Sequence, residues 1–380
     1  MLRKLLIGVG VVLAVAVVGL AGVYIATGPE GPPADSMSAT LLEPGPYAVI
    51  ERDLTFIDES RPTRENGDFP GAATRTLPTT LWYPRGEVAG GMPLVVYCHG
   101  FMSNRQGGNY LARALASRGY LVASADFPLT HMGAPGGPNA ADVDQQPADV
   151  SFIIDSLLAL QGADKLFDGD IDPVRIGVMG LSLGGLTATL VGYHPRWRDD
   201  RMQAVVSIAG PAAGFTRRFF LNGRAQFLMI AGTADAIVDY ETHAADIPEK
   251  VTGGVLLTIR NASHTGFVSL AEPAMRLMDH PDSLACSSLA AQQEEGSGEN
   301  PFTGLGDLSD GINPELMALQ ICTKPLGKAL HPGRQHMIAE VGVVDFFTSQ
   351  FDEDAHARRA AREHLRHGIG EDFPEARTTY

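Results

Sequence analysis

The sequence has no surplus of positive charge: 29 Lys and Arg against 44 Asp and Glu leave a formal net charge of −15. A surface of that sign repels phosphate backbones, which weighs against a nucleic-acid partner and says nothing about fold. A Gly-rich phosphate loop and a Cys/His zinc spacing are both missing, so neither nucleotide chemistry nor a zinc site is indicated. Glycine and proline are plentiful, at 43 and 25 residues. They punctuate apolar runs and set up no repeat of the kind that builds a solenoid or propeller. Cysteine is scarce, with three residues, a number consistent with an exported protein in which disulfides persist. Cys98 lies in an apolar run and reads as a buried thiol. Cys286 and Cys322 flank one irregular segment and are candidates for a bridge that spacing alone does not establish.

Charge is also missing from Leu5–Thr27, a run of 23 residues preceded by Arg3 and Lys4. At 1.5 Å per residue a helix of that length spans a hydrocarbon core of roughly 30 Å. Basic residues before the run leave the rest of the chain outside the cytoplasm. Residues 1–27 therefore read as an N-terminal transmembrane helix. A cleaved signal peptide is the close alternative, although the run exceeds a usual signal core and no small-x-small cleavage site comes after it. No cysteine follows Leu20-Ala21-Gly22, which disfavours lipoprotein processing.

Residues 28–46 are rich in Pro and Gly and read as a linker. Apolar strand-like runs come next at Tyr47–Ile57, Thr76–Tyr83, Met92–Cys98, Leu121–Asp126, Arg175–Leu181, Gln203–Ala209, Gln226–Gly232 and Gly254–Arg260. Helical spacing marks Tyr110–Ser117, Ala148–Leu160, a small-residue segment from Leu183, and Met337–Phe347. Short apolar strands alternating with helices predict an α/β fold with a mostly parallel central sheet covered on both faces. The rhythm breaks over 270–333, which reads as an irregular, cap-like insertion before the last helix. Residues 47–350 thus form the main domain. Residues 351–380 read as a charged tail, helical over Ala355–Arg366 and loose beyond.

Gly180-Leu181-Ser182-Leu183-Gly184 follows a strand and opens a helix, the setting a nucleophile elbow requires. A sharp strand-to-helix turn projects the serine hydroxyl, and glycines on either side let the two elements approach. A hydroxyl needs a base to remove its proton and an acid to orient that base. In chain order Ser, Asp, His, the candidates are Asp235, directly after the strand Gln226–Gly232, and His264, in the loop after the next strand. Asp239 is the rival acid; His331 and His336 are the rival bases. The oxyanion hole needs two backbone N–H groups. Leu183, after the nucleophile, and Phe101, in the loop His99-Gly100-Phe101, are the candidates, with the His99 side chain bracing that loop. Asp307 and Asp310 loosely resemble a calcium loop but lack its spacing and read as a solvated turn. His364 and His367 read as part of a polar helix face.

Several blocks occur together in order: Gly45-Pro46-Tyr47, Leu77-Pro78, Trp82-Tyr83-Pro84, His99-Gly100, Pro147-Ala148-Asp149-Val150, Gly180–Gly185, Ala231–Asp235 and Ala262-Ser263-His264. In these blocks the chain resembles bacterial serine hydrolases related to platelet-activating-factor acetylhydrolase isoform II, also called dienelactone-hydrolase-like, with polyester hydrolases and cutinases as cousins. The resemblance spans most of 45–350. It implies an α/β-hydrolase fold, a Ser182/Asp235/His264 triad, no cofactor, and a small-molecule or lipid ester as substrate. Leu181 departs from the His that relatives often carry there, and 270–333 matches nothing in the resemblance, so the specific acetylhydrolase activity does not follow. An acyltransferase using the same triad and an inactive hydrolase-fold binding protein are the alternatives. Nothing in the sequence sets the oligomeric state.

Overall fold

A computed structural model of the chain describes Tyr24 and residues 27–160, 166–295 and 300–380, with the backbone alone over 289–295. The apolar run expected to cross a membrane lies, apart from Tyr24 and Thr27, outside the described residues. Among the described residues no helix is long and apolar enough to do so.

One nine-stranded sheet organises the chain, in the order β1-β2-β4-β3-β5-β6-β7-β8-β9. The strands are β1 Val49–Asp58, β2 Arg75–Pro84, β3 Met92–Cys98, β4 Leu121–Ala125, β5 Ile171–Leu181, β6 Met202–Ile208, β7 Gln226–Gly232, β8 Val255–Ile259 and β9 Ala376–Thr379. The middle of the sheet, from β4 to β8, is parallel, and antiparallel strands pair at both sides. Burial on both faces explains why β3 and β4 are apolar without alternation: every residue of each is buried.

Six helices matter for the site: α1 Met37–Leu42, α2 Asn109–Ala116, α3 Gln146–Ala159, α4 Leu183–Tyr193, α5 Asp282–Glu295 and α6 Pro332–Phe351. Side chains on a strand point alternately to opposite faces. Leu94, Val96 and Cys98 of β3 accordingly join a core with Ile153 and Leu157 of α3 and Leu186 and Leu190 of α4. Val95 and Tyr97 join the opposite core, with Leu111 and Leu115 of α2 and Val343 and Phe347 of α6. The N-terminus of α3 is tied down by charge. Arg75, fully buried on β2, forks to Asp149 (2.7 Å) and Asp142 (2.9 Å), both buried too.

Three segments differ from the sequence reading. The segment read as a linker contains a helix: Ser36 caps α1, whose Ser38 is wholly buried. The tail is not loose. A helix over Ala355–Glu363 runs on through Gly368, and Leu365, Ile369 and Phe373 bury one face in the core. The chain then adds β9 to the sheet beside β8. His364 of this segment is buried between Asp345 on α6 (2.6 Å) and Asp372 (3.2 Å), and its Nε2 lies 3.3 Å from Ser38 Oγ. His367 is mostly exposed, so the two imidazoles do not share a face. Finally, 270–333 is not irregular throughout. It contains α5, and Phe302, Leu305, Ile312 and Met317 pack into the α3/α4 core. Its two arms are joined by a Cys286–Cys322 disulfide, with a Cα–Cα distance of 5.7 Å, while Cys98 is a buried free thiol.

Candidate active site

Parallel strands β5, β7 and β8 all end at the same edge of the sheet, where open α/β sheets bind ligands. Ser182 stands between the end of β5 and the start of α4 with φ 57° and ψ −119°, a left-handed backbone that a non-glycine residue adopts only when the surroundings impose it. The constraint is visible on both sides. The Ser182 N–H donates to Ile208 O of β6 (2.8 Å), and the Ser182 carbonyl accepts the first bond of α4, from Leu186 N (3.0 Å). A Cβ on Gly184 would overlap the carbonyl of Cys98, and one on Gly180 would overlap the carbonyl of Gly184. The turn therefore closes only with glycine at both positions. The serine side chain caps no backbone group of α4.

Asp235 follows β7 and is buried. Its Oδ1 accepts from Ile237 N (2.8 Å) and Val238 N (2.7 Å), and its Oδ2 lies 2.7 Å from His264 Nδ1. All three partners donate, so the group serves as a carboxylate. Burial alone would lower the His264 pKa. The charge and hydrogen bond of Asp235, with a further contribution from the Asp282 carboxylate, outweigh burial and hold it above the ordinary value of 6.5. With Nδ1 committed to Asp235, Nε2 is the ring nitrogen able to take up a proton. The rivals are elsewhere. Asp239 caps a short helix and pairs with Lys324. His331 caps α6 through Gly333 N (3.0 Å), and His336 stacks on Tyr110 and contacts Val268 O (3.1 Å).

The loop after β3 lies against the elbow: a Cβ on Gly100 would stand 3.4 Å from Ser182 Cβ. His99 is fully buried. Its Nε2 accepts from Phe127 N (3.1 Å), so Nδ1 carries the hydrogen donated to Gly100 O (2.8 Å). Burial pushes its pKa down to about 4, which keeps it neutral and makes it a brace for this loop. Met102, next along, also has positive φ and is fixed by a bond from its N–H to Thr130 O (2.9 Å). Phe101, between these two fixed residues, is partly buried and packs against the core that contains Leu183 and Leu186. The Leu183 N–H, first of α4, has no intrahelical acceptor, as at any helix start. Ser182, the Asp235–His264 pair and the start of α4 thus lie at the ends of β5, β7 and β8, along one sheet edge. Leu181 is 3% exposed and packs into the core with Met179 and Ile208.

The PET hydrolase-like family model matches residues 76–278, just over half of the 380-residue chain. The chain belongs to the PET hydrolase-like family. Membership places it among carboxylic ester hydrolases of the α/β-hydrolase superfamily. The matched segment contains Phe101, Ser182, Leu183, Asp235 and His264. A ferulic acid esterase from Streptomyces cinnamoneus shares the fold, with a TM-score of 0.50 and 20% identity over 80% of this chain and 91% of that one. No curated protein matches the sequence.

One group in the PET hydrolase-like site was not legible from the sequence. Asp282, the first residue of α5, is fully buried beneath the His264 loop. Its carboxylate accepts from His264 N (3.0 Å) and Thr265 N (2.7 Å). In the sequence it is an ordinary acidic residue inside a segment that reads as irregular, where a charge is expected at the surface. Only tertiary packing brings it here.

Proposed function

We propose that this protein is a serine hydrolase of carboxylic esters that works through an acyl-enzyme, with Ser182 as nucleophile, His264 as base and Asp235 as orienting acid. The observation that carries the reading is the strained Ser182 elbow at the same sheet edge as the 2.7 Å Asp235–His264 pair. His264 Nε2 takes the Ser182 proton as Oγ attacks the ester carbonyl, and Asp235 stabilises the imidazolium. Phe101 and Leu183 N–H groups stabilise the oxyanion. The imidazolium then protonates the departing alcohol, and water repeats the sequence on the acyl-enzyme. Family membership makes polyesters candidate substrates beside lipid-like and short-chain esters. We place the domain outside the cytoplasm, anchored by the apolar run. The disulfide, which persists in oxidising compartments, supports that location.

Incubation with a fluorophosphonate probe followed by peptide mapping tests the reading: one adduct, on Ser182, is expected. An unlabelled Ser182 in folded protein would overturn it. Hydrolysis of p-nitrophenyl esters of rising chain length, beside a polyester film, then ranks the substrates.

The base also fixes a pH dependence. His264 must be neutral to accept a proton, and its raised pKa means that it becomes charged while the pH is still above 6.5. The acid limb of kcat/KM should therefore have its midpoint above pH 6.5, with activity rising toward alkaline pH. A profile still flat at pH 6 would rule out His264 as the base.

A further inference from the structure

His280, Asp282 and Cys322 grip the loop carrying Asp235 at three backbone atoms. Ala234 O faces His280 Nε2 at 3.1 Å, Ala236 N donates to Asp282 Oδ2 at 3.0 Å, and Ala236 O accepts from Cys322 N at 2.6 Å. The same Asp282 Oδ2 accepts from the His264 N–H at 3.0 Å. Oδ1 accepts from Thr265 N (2.7 Å) and Thr265 Oγ1 (2.6 Å). One carboxylate, 0% exposed, thus joins the residue after the acid to the residue that carries the base. One turn further along α5, Cys286 is bonded to Cys322, so both arms of the grip are covalently joined. The PET hydrolase-like match ends at residue 278, before this device begins.

We propose that Asp282 is a positioning residue, which holds the Asp235 and His264 loops in register and is itself held in place by the Cys286–Cys322 bridge. The inference rests on the triad reading above. Its physical content is twofold. Four hydrogen bonds to a buried carboxylate leave the two loops little freedom to slide, and a displacement of about 1 Å at reacting groups costs roughly 100-fold in rate. The carboxylate also adds a negative charge beside His264. The charged or titratable groups around that ring are Asp235 and Asp282, with His280 behind Asp282 at 4.0 Å. Removing the Asp282 charge lowers the pH at which the imidazole protonates.

The test compares wild-type protein with Asp282→Asn and Asp282→Glu, using a short p-nitrophenyl ester across pH. Asp282→Asn is expected to lower kcat by about 10- to 100-fold with KM within about twofold, and to move the acid limb of kcat/KM to lower pH. Asp282→Glu keeps the charge, so its acid limb should stay in place while kcat falls less; it serves alone if the Asn variant does not fold. A lowered melting temperature with unchanged kcat and an unmoved acid limb would overturn the proposal and leave Asp282 a structural tie only. Failure of the wild type to hydrolyse esters or to be labelled at Ser182 would overturn the triad reading and this inference with it. An active wild type with equally active, folded variants would overturn this inference alone.

Discussion

Ser182→Ala is expected to lose ester hydrolysis by a factor on the order of 10⁶ in kcat, the scale found when a triad nucleophile is removed from a serine hydrolase. What remains should be the modest acceleration that amide donors and substrate binding supply without a nucleophile. The fold should survive. Ser182 makes its structural bonds through the backbone, to Ile208 O and from Leu186 N, and its side chain caps nothing in α4. Alanine has the same Cβ and meets the same left-handed strain at φ 57°. Stopped assays with p-nitrophenyl acetate, run beside near-UV circular dichroism and a melting curve, separate lost chemistry from lost structure. A folded Ser182→Ala protein that keeps more than a few per cent of activity would mean that another residue is the nucleophile.

The largest expected effect on stability lies well away from that hydroxyl. Arg75 is 0% exposed and neutralises Asp142 and Asp149, themselves 2% and 0% exposed. Removing one member of a buried ionic group strands charge in a poorly solvating interior, at a cost of about 3–5 kcal/mol. Arg75→Leu should therefore shift chemical denaturation by that amount. Asp149 keeps a second partner, Arg61 at 2.7 Å, so Asp142 bears most of the penalty. Burial already raises the Asp142 pKa, and without Arg75 it should rise further. A group whose folded pKa is raised stabilises the folded state at low pH and loses that contribution as pH rises through the folded value. The deficit of the variant should thus shrink on acidification. A loss under about 1 kcal/mol at neutral pH, or one that grows toward low pH, would contradict the assignment.

The parts of this fold that could be read from sequence are those whose pattern is local. Strands β3, β4, β6, β7 and β8 and the second half of β5 are largely apolar runs because both faces of the sheet are covered, and such runs are recognisable to within a few residues. The positions of Ser182, Asp235 and His264 at strand ends followed from the same rhythm. Longer-range pairing was not readable. Ala376–Thr379 is four residues with no apolar alternation, and it becomes a strand only because β8 offers an edge. The segment from Ala355 hides its core face among arginines: Leu365, Ile369 and Phe373 recur every four residues between charged neighbours. Asp282 and Arg75 were invisible for a related reason. A buried charge looks like a surface charge until its partners, tens of residues away in sequence, are placed beside it.

β9 also bears on how the protein behaves in company. β8 is five residues, four of them buried, and without a neighbour its N–H and C=O groups would form an open template for another chain. β9 occupies that template with Arg377, Thr378 and Thr379, polar residues that present a poor surface for further strand addition. Residues 376–379 therefore act as a guard against edge-to-edge self-association. Substitutions that unseat residues 376–379 from β8 risk sticky protein well before they disturb the chemistry at Ser182.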